Sequence, residues 1–111
     1  MVKKIQYTFL IYLVLAGFTG LADKTPQTLI KTIVIDAGHG GQDPGCHGVE
    51  YKEKDISLSV ALKLGKLLEE NLKDVKIIYT RTSDVFVELE ERAQTANRFK
   101  ADLFVSIHCN A

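Results

Sequence analysis

Two imidazoles and a carboxylate, His39, Glu53 and His108, are the side chains of this chain best placed to do chemistry. With a fourth position left for water, two His and one acidic ligand make a catalytic zinc arrangement. Zinc so held brings the pKa of its water towards neutrality and polarises a carbonyl. Each histidine ends an apolar run: Ile33-Val34-Ile35 leads into Asp36-Ala37-Gly38-His39, and Leu103-Phe104-Val105-Ser106-Ile107 leads into His108. Glu53 stands at the end of the glycine-rich loop that follows His39. Spacing alone leaves a plainer reading open, in which a histidine at a strand end only hydrogen-bonds the loop beside it.

These three residues need strands and helices that bring them to one edge. The β-branched run before His39 predicts a buried strand over residues 32–36. A loop over 37–54 follows, holding five glycines and Pro44, and loops this long are usually functional. Ile56, Val60, Leu64, Leu67, Leu68 and Leu72 recur on a 3.6-residue period, which predicts a helix from Asp55 to about Asn71, capped by Asp55. Residues 75–80 predict a second strand, and residues 87–100 a second helix with Leu89, Ala93 and Ala96 turned to the core. Its acidic start and basic end suit the helix dipole. Residues 103–107 predict the third strand.

The order βαβαβ implies an α/β fold with a parallel sheet and crossover helices. If strands one and three are neighbours, both histidines lie at the carboxyl edge, where open α/β sheets keep their ligands. Right-handed crossovers are expected to put both helices on one face. Strands one and three are apolar on both faces, so the other face calls for a further cover. The chain therefore reads as the first half of a larger α/β domain.

Length and composition narrow the class. The 111 residues allow one small domain, and 46% hydrophobic with 25% charged residues is ordinary for a folded protein. A net charge of zero gives no electrostatic case for nucleic acid. Residues 1–22 have the pattern of a signal peptide: Lys3 and Lys4, an apolar stretch from Phe9 to Phe18, and Gly20-Leu21-Ala22 before the cleavage point. The apolar core is about ten residues, short of the roughly 20 that span a membrane, so cleavage is preferred to a retained anchor. Cleavage leaves 12 basic against 14 acidic residues. The expectation is an exported protein of the periplasm or cell envelope with no stable membrane span, a polar lead-in at 23–31 and one domain at 32–111.

Asp36-Ala37-Gly38-His39-Gly40-Gly41-Gln42-Asp43-Pro44-Gly45, Glu53-Lys54-Asp55, Thr80-Arg81 and Ser106-Ile107-His108-Cys109-Asn110-Ala111 together resemble the zinc-dependent N-acetylmuramoyl-L-alanine amidases. The resemblance covers residues 33–111, with four motifs in the family order. It implies Zn2+ held by His39, Glu53 and His108, and peptidoglycan as partner. The implied reaction is hydrolysis of the amide between the lactyl group of N-acetylmuramic acid and L-alanine. The family also uses a second glutamate, late in its domain, beside the zinc water. That residue is absent from this sequence, and general acid–base help is typically worth ~10²–10⁴-fold. The catalytic acid/base is therefore unassigned, and the alternative is a zinc-containing module that binds peptidoglycan without cleaving it.

Other polar residues have plainer readings. Arg81, after strand two, is a candidate for a substrate carboxylate, or for pairing with Glu88 or Glu91. Asp36 is a candidate to orient His39 from behind, or a turn aspartate. His47 and Glu50 read as surface loop residues. Cys46 and Cys109 are the only cysteines and could oxidise after export. On a regular strand Cys109 would point away from His108. A nucleotide-binding reading of the glycine turn fails because Asp43 stands where G-x-G-x-x-G needs its third glycine.

Overall fold

A computed structural model describes residues 29–109. The signal segment at 1–22 and most of the lead-in, 23–28, lie outside the described residues. Five elements follow in order: β1 (Thr32–Ala37), α1 (Glu53–Asn71), β2 (Lys76–Tyr79), α2 (Leu89–Arg98) and β3 (Leu103–Ile107). The three strands form one parallel sheet in the order β2-β1-β3. Ile33 pairs with Ile77 on one side and Leu103 on the other, and the β1–β3 register runs on to Ala37 opposite Ile107. β1 is thus central and its apolar run is buried: Val34 and Ile35 are fully enclosed. Burial of side chains of that size stabilises by roughly 1.5–3 kcal/mol each.

Both helices were expected on one face, and the strand order overturns this. β2 and β3 flank β1 on opposite sides, so two crossovers of the same hand pass over opposite faces. α1 packs on the face carrying Ile33, Ile35 and Ala37, through Ala61 with Leu58, Leu64 and Leu68 around it. α2 lies over the Asp36 face and reaches it with Arg92. The second face is therefore partly covered by α2 and open over β3, where Phe104 is 40% exposed.

The buried stripe of α1 also differs from the expected one. It runs through Ser57, Ala61 and Gly65, whereas Ile56, Val60 and Leu67 face outwards. Small residues win because the helix lies close on the sheet: a Cβ on Gly65 would overlap the Tyr79 ring. The helix begins at Glu53, with Lys52 at the cap position and no side-chain cap bond, so Asp55 lies inside its first turn. In α2 the buried residues are Arg92 and Thr95. Leu89 and Ala93 border an open groove instead of entering a core.

Candidate metal centre

The sheet places the candidate residues at its carboxyl edge, where the strand order reverses between β1 and β3. His39 follows β1 in a left-handed turn: φ is +61° at His39, +125° at Gly40 and +56° at Gly41. Only the glycines adopt such angles freely, so His39 is held in a strained conformation by its surroundings. The Gly40 and Asp43 main chains exchange two hydrogen bonds, and Gly41 N–H donates to Asp84 Oδ1 at 2.7 Å. Lys54 Nζ reaches both Gly41 O and Asp84 Oδ2. Arg92 Nη2 donates to the His39 carbonyl at 2.9 Å.

Glu53 is the first residue of α1 and is buried. Its Oε2 accepts the Cys46 N–H at 2.9 Å and its Oε1 accepts the Cys109 N–H at 2.8 Å. The Cys46 N–H, acting against burial and helped by the Cys109 N–H and the two histidines, holds the Glu53 carboxyl down to about 2. Glu53 is therefore an anion at neutral pH. His108 follows β3 and lays its ring over Gly38, where a Cβ would come 2.6 Å from Nδ1.

Three ligand atoms converge. His39 Nε2 is 3.1 Å from Glu53 Oε1, His108 Nδ1 is 3.1 Å from the same oxygen, and the two ring nitrogens are 3.3 Å apart. The imidazoles meet edge to face, with planes at 83°. A tetrahedral ion with ligands at about 2.0–2.1 Å has ligand–ligand edges of about 3.3–3.4 Å. The three separations fit such an ion to a few tenths of an ångström. His39 Nδ1 lies 2.8 Å from Asp43 Oδ2. A carboxylate only accepts, so Nδ1 carries the proton and Nε2 turns a lone pair to the centre. The His39 ring and the Gly45 N–H hold the Asp43 carboxyl below its ordinary range.

The side chain behind His39 is thus Asp43, where Asp36 was the sequence candidate. Asp36 points to the other face and accepts from Thr80, Ser106 and Arg92. Asp43 sits four residues after His39 across the glycine turn, a spacing that offered the signal. Arg81, the candidate for substrate binding, is buried, and its guanidinium is held mainly by backbone carbonyls. It donates to the carbonyls of Ala37, Gly38, Lys54 and Ser83 and to Ser57 Oγ, so four of its five N–H groups are turned to the protein's own acceptors. Neither Glu88 nor Glu91 meets it, because carbonyls at the end of β1, in the first turn of α1 and after β2 lie closer. Arg92 carried no sequence signal, since a basic residue on a helix is ordinarily solvated, and Lys54 entered only within the Glu53-Lys54-Asp55 motif. His47 and Glu50 are exposed in the loop. Cys46 and Cys109 are both free thiols. β3 ends before His108, so strand alternation no longer governs where Cys109 faces.

Comparison with known proteins agrees with this geometry. The family model described as N-acetylmuramoyl-L-alanine amidase matches residues 33–111. An endolysin of Bacillus phage SPP1 is 49% identical over 81 residues, which are 73% of this chain and 30% of that protein. A sporulation-specific N-acetylmuramoyl-L-alanine amidase of Bacillus subtilis (strain 168) is 44% identical over 79 residues, 71% of this chain and 31% of that protein. The solved catalytic domain of the amidase CwlV from Bacillus (Paenibacillus) polymyxa var. colistinus superposes with a TM-score of 0.69 at 43% identity, covering 73% of this chain and 46% of that one. The chain spans about a third of the length of these curated relatives and under half of that catalytic domain. The shared motifs, the superposed sheet and the matched span together make this chain a member of the N-acetylmuramoyl-L-alanine amidase family.

Proposed function

We propose that this chain carries the zinc-holding part of an exported peptidoglycan amidase. The reaction class is hydrolysis of the amide between N-acetylmuramic acid and L-alanine. The carrying observation is the convergence of His39 Nε2, Glu53 Oε1 and His108 Nδ1 within 3.3 Å of one another. When bound, zinc would supply an activated water and a polarised carbonyl. The chain's own residues supply the rest: Asp43 fixes the His39 tautomer, and two backbone N–H groups keep Glu53 anionic. The groove between α2 and β3 opens beside His39 and His108 and has a volume of about 720 Å³, room for a peptide segment.

Metal analysis of the full chain tests this reading. One zinc per chain, lost in His39→Ala and His108→Ala, supports it. Two His and one carboxylate also form mononuclear iron sites, and stoichiometric iron in place of zinc would overturn it.

One observation favours a second reading, a module that docks on peptidoglycan without cleaving it. Among the described residues, the carboxylates at the centre are Glu53 and Asp43, and both are already committed, one to the ligand set and one to His39 Nδ1. Neither is left as a general acid/base. Incubation with isolated sacculi separates the two readings: released stem peptide supports the amidase, and zinc-dependent retention without release supports the docking module.

A further inference from the structure

Outside the ligand atoms, one pair of reactive groups stands out. Cys46 and Cys109 are far apart in sequence, yet their backbone N–H groups bind the two oxygens of a single carboxylate, Glu53, at 2.9 and 2.8 Å. Two bonds of that length to one carboxylate place the two nitrogens within about 8 Å of each other. Disulfide closure needs the Cα atoms of Cys46 and Cys109 to settle about 4.4–6.8 Å apart. Both residues line the same small cavity of about 240 Å³, with Ile56 and Tyr51 on its walls. Cys46 is exposed and Cys109 is half-buried, and both are reduced in the structure. Neither sulfur belongs to the cluster of metal-ligating atoms formed by His39, Glu53 and His108.

We propose that Cys46 and Cys109 form an intrachain disulfide that fastens both hydrogen-bond donors around Glu53 and so stiffens the metal centre. The zinc consequence rests on the metal reading above; the disulfide does not. The oxidant is an external disulfide, of a small molecule or a protein. The exposed Cys46 thiolate attacks it, forming a mixed disulfide and releasing one thiol. The Cys109 thiolate then attacks the Cys46 sulfur, the new S–S bond closes, and the second thiol leaves. Two electrons pass from the cysteine pair to the external disulfide, and the two protons end on the released thiols. The bond would tie the glycine loop and the start of α1 to the end of β3. It closes a long loop, for which cross-linking constrains the unfolded chain strongly.

The test uses the full chain, zinc-loaded, in a glutathione redox series. The expected result is loss of two hydrogens by mass, a Cys46–Cys109 peptide on mapping, and loss of both thiols to alkylation. The melting temperature should rise by about 10 °C and fall back with reductant. Zinc should pass to a chelator several-fold more slowly from the oxidised form. Cys46→Ser and Cys109→Ser each keep the backbone donor and remove one sulfur, so both should show neither effect. Two thiols that stay alkylatable with zinc bound, or a glutathione adduct that never resolves, would overturn the disulfide and leave the metal reading standing. A disulfide that forms in a chain binding no zinc would support the pair while removing the metal reading.

Discussion

Arg92 donates from Nη1 to Asp36 Oδ1 at 2.7 Å, and both side chains are buried between α2 and β1. The same guanidinium holds the carbonyls of Ala37, His39 and Val87. One side chain thus joins the second helix to the turn that presents His39. Arg92→Ala leaves Asp36 buried beside two hydroxyls with no counter-charge. Loss of one partner of a buried pair typically costs about 3–5 kcal/mol. Urea unfolding of the metal-free chain should show that loss, and a change under 1 kcal/mol would contradict the role given to Arg92.

Asp36 also sets an acid limit. Burial alone would raise its carboxyl, but hydrogen bonds from Ser106, Thr80 and Arg92 and the Arg92 charge hold it below the ordinary value. Its folded pKa is depressed, so its contribution is fully present above the usual aspartate range and fades as pH falls through the lowered value. Asp36→Asn should reduce stability at pH 7 and flatten the acid limb below about pH 4. Parallel acid limbs in the two proteins would refute this.

Asp43 would act on a bound metal only through His39, whose Nδ1 it meets at 2.8 Å. Asp43→Ala frees the ring to turn and to change tautomer, and loss of such a partner typically weakens metal binding ~10–100-fold. Competition with a chromophoric chelator measures it. His39→Ala and His108→Ala should instead abolish stoichiometric binding.

Gly45 lies against the centre with φ at +67°, and a Cβ there would come 2.6 Å from His39 Cδ2 and 2.7 Å from Glu53 Oε2. Gly45→Ala should cost about 1–3 kcal/mol through combined strain and crowding, and should weaken zinc as well. Unchanged melting with unchanged zinc affinity would sink the argument.

Leu89 and Phe104, 83% and 40% exposed, border the open groove between α2 and β3. Apolar surface of this kind favours association. Sedimentation of the full chain should show concentration-dependent self-association, reduced by Phe104→Lys. A monomer at all concentrations would refute it.

The βαβαβ order was legible because β-branched runs and helical periods alternate without ambiguity from Ile33 to Ile107. The adjacency of β1 and β3 stood only as the condition for His39 and His108 to share an edge, and the strand register supplies it. Which face of α1 is buried was not legible. Apolar periodicity selects Ile56, Val60 and Leu67, but close packing on the sheet selects Ser57, Ala61 and Gly65. Small residues carry no hydropathy signal for that preference. The burial of Arg81 and Arg92 was not legible either, because nothing in sequence marks which guanidinium meets backbone acceptors. Here converging backbone carbonyls at the strand ends give both guanidinium groups enough acceptors to be buried.

The position of β1 in the middle of the sheet has a consequence for synthesis. His39 emerges early, but its ring meets its partner only when β3 pairs along the far side of β1, 69 residues later. Until that pairing forms, a nascent chain has two of the three ligands and no third wall. Closing so long a segment is slow compared with helix formation. Metal uptake would therefore report the last folding event, not the first. A chain stalled before residue 108 would present His39 and Glu53 without the third donor that completes the cluster.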